Sequence, residues 1–313
     1  MSRYHRPMKE RDTSHIRQSF YANLGIACIK GVAAALTGSG AMLAESIHSA
    51  ADTVNQLLLL LGVHRSSRVP DAAHPFGYGR ALYFWSFVVA LLLFSGGGVF
   101  SIYEGIHKLE HPEPITNWLV GAAVLVVALV IEGGATLSNI REINRRRGEL
   151  NFLKFLRTTK DSDLIVVFGE NSAAVAGLVF ALAGLGLAVA TDNPMWDAIG
   201  TILVGVLLIG VAIFLATEVK ALLVGESADP TINEAALVVA TRHPLIGKID
   251  RILTLQQGPG QVILAIRVVV ASGGSSDILL KALSAYESDL RASAPDIRWC
   301  FIEPALDSRS IET

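Results

Sequence analysis

The sequence is short of charge. Asp, Glu, Lys and Arg make up 17% of its 313 residues, against about 25% in an ordinary soluble domain. The shortage falls in residues 1–225, and the remainder has ordinary composition. That division predicts a membrane-embedded part followed by a soluble one. An excess of either sign is also missing. The net charge of −2 gives no footprint for nucleic acid, and no nucleic-acid partner is expected. Cysteine is scarce: Cys28 lies in an apolar segment and Cys300 near the end, which excludes a disulfide framework or a cysteine zinc site. The stretch Met1 to Gln18 has neither the apolar core of a signal peptide nor the acid-poor composition of a transit peptide. HExxH and GxSxG are absent, so an enzyme is not expected.

Long apolar runs, by contrast, are abundant. A helix needs about 20 mostly apolar residues to cross a bilayer. Six stretches qualify, at 17–38, 40–63, 81–106, 115–140, 162–190 and 195–221. Thr37-Gly38-Ser39-Gly40 separates the first two, and Thr191-Asp192-Asn193-Pro194 the last two. Trp85, Trp118 and Trp196 stand near span ends, where amphipathic rings favour the interface. Basic residues gather on alternate connections. Arg3, Arg6, Lys9, Arg11 and Arg17 precede the first span, and Arg65, Arg68 and Arg80 follow the second. Arg141, Arg145, Arg146, Arg147, Lys154, Arg157 and Lys160 follow the fourth, while the opposite side carries Lys108 alone. Positive loops stay inside, so both termini are expected in the cytoplasm.

After the spans, Asp229-Pro230 reads as a helix start. Two β-rich runs, Lys248 to Gln257 and Gln261 to Ala271, flank a Gly258-Pro259-Gly260 turn. An amphipathic helix from Ser275 to Ser293 and a strand from Ile297 to Glu303 complete an α-β-β-α-β order. The expected fold class is an α-helical membrane protein, with six transmembrane helices and a C-terminal cytoplasmic ferredoxin-like α+β domain. The expected boundaries are a tail at 1–16, the transport domain at 17–225, the soluble domain at 226–306 and a tail at 307–313. So small a soluble core gains from pairing with a second copy, which predicts a homodimer. The lipid bilayer is the other expected partner.

Ionisable groups inside spans are costly, and they mark hydrated pathways. Here they are Lys30, Glu45, His48, Asp52, Glu132 and Glu170, the last beside Asn171. His48 and Asp52 are four apart, which places both on one helical face. Imidazole with carboxylate is half of a zinc ligand set. From the inner span ends, His48 and Asp52 lie roughly 16–22 Å deep, and Glu170 and Asn171 roughly 12–14 Å deep. The two pairs therefore reach a common level. Glu170 is the expected third ligand. Asn171 is either a fourth or an interhelical hydrogen-bonding group. Glu45, one turn from His48, is read as supporting the site. Lys30 and Glu132 read as an ion pair or as snorkelling side chains, with no part in transport. Gly96-Gly97-Gly98, Gly133-Gly134 and Gly184/Gly186 read as points of close helix approach.

Three motifs in order carry a resemblance. They are Thr37-Gly38-Ser39 with Ala44-Glu45-Ser46-Ile47-His48-Ser49-Ala50-Ala51-Asp52, then His74-Pro75-Phe76-Gly77-Tyr78-Gly79-Arg80, then Ile106 to Pro114. Together they resemble the cation diffusion facilitators, over nearly the whole chain. The resemblance implies a dimeric antiporter that exchanges a divalent cation, zinc first, for protons by alternating access. It implies no permanently bound cofactor: the metal is substrate and the proton its counter-ion. The likeness implies two ligands from the second helix, His48 and Asp52, and two from the fifth. There the usual second HxxxD is missing, and Val166-Val167-Phe168-Gly169-Glu170-Asn171 resembles the branch containing the animal mitochondrial zinc transporter. An oxygen-richer site admits manganese, iron or cobalt as the alternative cargo. A non-transporting metal-sensing scaffold is the other alternative. Asp71 and His74 match part of a loop metal site, but Tyr78 replaces its second histidine, so a weak site or none is expected. The soluble region holds His243 alone among histidines, which predicts no metal cluster, with Cys300 a core residue and Glu303 a surface one. An imidazole changes charge near pH 6.5, about where a proton-linked carrier operates, so His48 is the expected proton carrier. The expected location is a bacterial inner (cell) membrane.

Overall fold

The structure is a computed structural model that describes residues 14–37, 40–112, 118–270 and 275–305. Within it the chain opens with α1 (Ser14–Thr37) and α2 (Gly40–Ser66). The third long helix is compound: α3 (Ala81–Leu92), a π-helical stretch at Leu93–Val99, then α4 (Phe100–Glu110). Next come α5 (Trp118–Arg146), a short α6 (Phe152–Thr158), α7 (Ser162–Thr191) and α8 (Met195–Val224). The last part is α9 (Pro230–Ala240), β1 (Ile246–Gly258), β2 (Gln261–Val270), α10 (Ser276–Ser293) and β3 (Ile297–Ala305). Of the expected tails at 1–16 and 307–313, residues 1–13 and all of 307–313 lie outside the described residues, as do the tip of the first turn at 38–39 and the end of the Ile106 to Pro114 motif.

Among the described residues, four helices are by length and composition long and apolar enough to cross a membrane: Ala81–Glu110, Trp118–Arg146, Leu164–Thr191 and Met195–Val224. The chain is a membrane protein on that showing. α1 and α2 are 24 and 27 residues long and carry a more polar sequence. Their polar side chains point inward: Ser19, Asn23 and Lys30 on α1, and Ser49, Thr53, Asn55 and Gln56 on α2, are all buried. Outward faces are apolar instead. Val126, Val127, Val130 and Leu137 on α5, and Leu203, Val206 and Ile213 on α8, are exposed, as a lipid-facing surface requires. The membrane core is built from Leu59, Val63, Leu82, Tyr83, Val89, Ile165, Val166, Val167, Leu208 and Leu215, among others.

The small residues divide into two kinds. A Cβ on Gly98 would lie 2.5 Å from Ile209 Cγ1, and one on Gly184 would lie 2.8 Å from the Trp196 carbonyl, so both sit at close helix crossings. Gly96, Gly133, Gly134 and Gly186 face open space and do not make the close approach expected of them. The tightest crossing is between α8 and the compound third helix, where Gly205 faces the Gly98 carbonyl and Ile102. Gly205→Leu is expected to destabilise the bundle by about 1–3 kcal/mol through overpacking. The check is the thermal unfolding midpoint in detergent, with Gly210→Ala, which meets open space, holding the wild-type value.

Asp192, in the left-handed region at φ 49°, closes α7, and Asn193 Oδ1 accepts the Met195 N–H at 3.0 Å to start α8. A short polar residue tolerates that conformation better than most. In the C-terminal part Asp229 Oδ1 caps α9 by accepting the Thr231 N–H at 2.9 Å. β1 and β2 pair antiparallel across the Gly258–Gly260 turn, where Gly260 takes φ 65°, and β2 pairs parallel with β3. Val262, Leu264, Ile266 and Val268 alternate into the core beneath α9 and α10, with Tyr286 and Leu290. The loop between α2 and α3 rests on this domain. Phe76 meets Trp299 edge-on at 5.6 Å, its carbonyl accepts from Gln257 Nε2 at 3.3 Å, and Gly79 packs on the backbone of Gln257 and Gly258. Lys160 ties the α6–α7 loop to Glu226 at 2.6 Å.

Candidate metal centre

α2 presents its polar face by helical spacing. Ser49, Asp52, Thr53 and Gln56 recur at intervals of three and four, so they share one side of the helix. Thr53 Oγ1 donates to the Ser49 carbonyl at 2.9 Å, which leaves no polar group of Thr53 needing water. His48 and Glu45 stand on the same helix one and two turns before Asp52, but their side chains lie outside the described residues. Asp52 is half-buried.

Across from α2, α7 brings Glu170. Gln56, fully buried, donates from Nε2 to Glu170 Oε2 at 2.6 Å, and Asn55 also hydrogen-bonds this carboxylate. Glu170 Oε1 is buried without a partner, and so is Gln56 Oε1. The charges that act on Glu170 are Asp52 and Glu132. Asn171 points elsewhere. It is buried, its Nδ2 donates to Ser19 Oγ on α1 at 2.8 Å, and its carbonyl accepts from Thr136 Oγ1 on α5 at 3.2 Å. Glu170 thus faces the α2 polar row, while Asn171 ties α7 to α1 and α5.

Lys30 and Glu132 are buried rather than snorkelling. Lys30 Nζ donates to Ser49 Oγ at 3.0 Å, one helical turn from Thr53. Asn55 and Gln56, which the sequence reading passed over, hydrogen-bond Glu170. The polar periodicity of α2 was the signal that would have found the amides.

The Asp71–His74 turn is exposed and closed on itself. Asp71 Oδ1 accepts the backbone N–H groups of Ala73 and His74 at 3.0 and 2.8 Å, and Oδ2 accepts the Tyr78 hydroxyl at 2.6 Å. The Tyr78 hydrogen bond, with the backbone donors, holds the Asp71 carboxyl below its ordinary range, and the same bond raises the Tyr78 hydroxyl. The turn is therefore firm above the ordinary carboxylate range and loosens as pH falls through the lowered value. The His74 ring lies on Tyr78 at 4.2 Å, with its Nδ1 3.6 Å from Asp71 Oδ1. Tyrosine thus fills the place where a second histidine was expected.

In the C-terminal part, His243 Nε2 meets Asp289 Oδ2 at 3.1 Å and its ring packs edge-on against Tyr286. Cys300 is buried, and burial pushes its thiol up to about 12. Glu303 is at the surface beside Arg267 at 3.6 Å. Among the described residues no three His, Cys, Asp or Glu side chains converge as a ready metal site.

Long apolar helices that enclose Lys30, Glu132, Asn55, Gln56 and Asn171 define an integral membrane protein with buried polar side chains. Residues 16–224 match the cation efflux transmembrane domain, two thirds of the sequence, and the chain belongs to that family, the cation diffusion facilitators. Its members are transporters and not enzymes. The chain is 36% identical over 228 residues to the proton-coupled zinc antiporter SLC30A9, mitochondrial, of Xenopus laevis, covering 72% of this chain and 41% of that protein. The human protein of the same name is 34% identical over 241 residues, covering 76% and 42%. The magnetosome protein MamB of Magnetospirillum gryphiswaldense is 27% identical over 238 residues, covering 74% and 73%. The chain spans about two fifths of the length of the antiporters it matches.

Proposed function

We propose that this protein carries a divalent metal cation, zinc first, out of the cytoplasm in exchange for protons. The observation that carries the reading is the Glu170 carboxylate of α7, held by Gln56 of α2 at 2.6 Å with one oxygen left open, beside Asp52. His48, one turn before Asp52 on α2, completes the ligand set. The names of the two antiporters support zinc and proton coupling.

His48, Asp52 and Glu170 bind the ion between α2 and α7, with Glu45 supporting. Asn171 acts through its hydrogen bond to Ser19 rather than as a ligand. Each ligand must lose a proton before it binds metal, so protons arriving from the far side displace the ion. The Asp71–His74 turn serves at most as a weak approach site, because both Asp71 oxygens already accept hydrogen bonds.

Six spans, with α1 and α2 lining the polar centre, put both termini in the cytoplasm on the positive-inside rule. The membrane is a bacterial inner membrane. The final α-β-β-α-β part is a ferredoxin-like domain that pairs in a homodimer. Its open sheet face supports that pairing: Leu253, Ala265 and Phe301 stand in register, and Leu253 and Phe301 are exposed.

The cargo is tested by competition. Zinc flux into proteoliposomes is expected to be suppressed by cobalt, manganese or iron(II), which accept oxygen-rich sites, and not by magnesium, which dehydrates reluctantly. Equal suppression by magnesium would exclude a transition-metal carrier. Zinc binding without flux would favour the scaffold.

A further inference from the structure

We propose that Glu132 of α5 is a further carboxylate of the cargo site, supplying from the fourth long helix a third acidic group beside Asp52 of α2 and Glu170 of α7. The inference rests on the transport reading above. It concerns which side chains hold the ion.

α5 turns one face inward. Ala128, Glu132, Ala135, Asn139 and Ile143 are its buried residues, spaced by three and four. The helix is tied at the level of the site from both sides: Thr136, one turn beyond Glu132, donates to the Asn171 carbonyl of α7, and Ser138 Oγ donates to Gln18 of α1 at 2.7 Å. Glu132 thus lies on a helix held between α1 and α7 and is 6% exposed. The charged side chains acting on it are Asp52 from α2 and Lys30 from α1, and it acts in turn on Glu170 from α7.

The open acceptors supply the second observation. Glu132 Oε2 is buried with no hydrogen-bond partner. Glu170 Oε1 and Gln56 Oε1 share that condition, and Gln56 is itself fully buried and bonded to Glu170. Buried acceptors left open are unfavourable in a fold that never fills them. Two carboxylates and an amide oxygen are the donors that a divalent cation takes. The charges agree. Ionised Asp52, Glu132 and Glu170 against the ammonium of Lys30 leave two negative charges among the described side chains, which one divalent cation balances. Without Glu132 the same set holds one negative charge and the bound ion leaves a net positive centre within the bilayer, a costly state.

The test is zinc titration calorimetry on the full-length protein in detergent, with wild type, Asp52→Ala, Glu132→Gln and Glu132→Asp. Glu132→Gln keeps size and polarity and removes only the charge. It is expected to weaken zinc binding at least tenfold, while Glu132→Asp restores it to within a few-fold of wild type. Wild-type affinity in Glu132→Gln together with lost binding in Asp52→Ala would overturn the role of Glu132 and leave the transport site standing. Weak binding in both Glu132 variants would also overturn it, since side-chain length and not charge would then be what matters. Unchanged binding in Asp52→Ala would sink the transport reading itself, and this inference with it.

Discussion

Asp52→Ala is expected to stop zinc flux in proteoliposomes, lowering the initial rate by about 100-fold or more, beyond the 10–100-fold typical of losing a partner that only orients a ligand. The magnitude follows from what Asp52 does. It is the acidic group whose charge acts on both Glu132 of α5 and Glu170 of α7. It also shares its helical face with His48, four residues earlier. Removing it leaves the ion a single helix's carboxylate at each remaining corner and breaks the bridge from α2 to α7. The protein should still fold, because alanine is a strong helix former and the position is only half-buried. A variant that elutes as wild type and carries zinc at the wild-type rate would place the transport path elsewhere.

Gln56→Leu is the second large effect. Gln56 is fully buried and donates at 2.6 Å to Glu170 Oε2, so it fixes the direction in which that carboxylate presents its open oxygen. Leucine fills similar volume in an apolar setting and keeps the helix. It cannot donate, so Glu170 loses a hydrogen bond that orients it. Zinc affinity is expected to fall about 10–100-fold, as for other orienting partners of metal ligands. Calorimetry checks it, with the thermal midpoint near wild type. A fall in stability with unchanged affinity would make Gln56 a packing residue only.

Much of the architecture was legible before any coordinates. The long helices follow from uninterrupted apolar runs, and the Asp229-Pro230 cap and Gly258-Pro259-Gly260 turn mark the soluble elements where they occur. The π-helical stretch at Leu93–Val99 was not legible. Apolar runs define a helix but not its hydrogen-bond register, and three successive glycines leave that register open. α6 was hidden in a basic loop, where Phe155 and Leu156 pack with Ile143 and Leu164 too briefly to set a period. The centre was half legible. Asp52 and Glu170 stand out as acids in apolar spans. Lys30 and Glu132 stand out equally, yet a helix reads the same whether such a residue faces lipid or the bundle. Only packing shows that both face inward. Asn171 was open between two readings, ligand and interhelical hydrogen-bonding group; it stands a step of 100° around the helix from Glu170, and its Nδ2 makes an interhelical hydrogen bond to Ser19.

The measurement that bears most directly on the account follows zinc and protons together. Wild-type protein is reconstituted into vesicles carrying a zinc indicator and a pH indicator in the lumen. An acidic lumen is expected to speed zinc accumulation, and each pulse of zinc should make the lumen more alkaline, with both signals lost in Asp52→Ala. Zinc accumulation indifferent to the pH gradient, with no change in lumenal pH, would contradict proton exchange through this site.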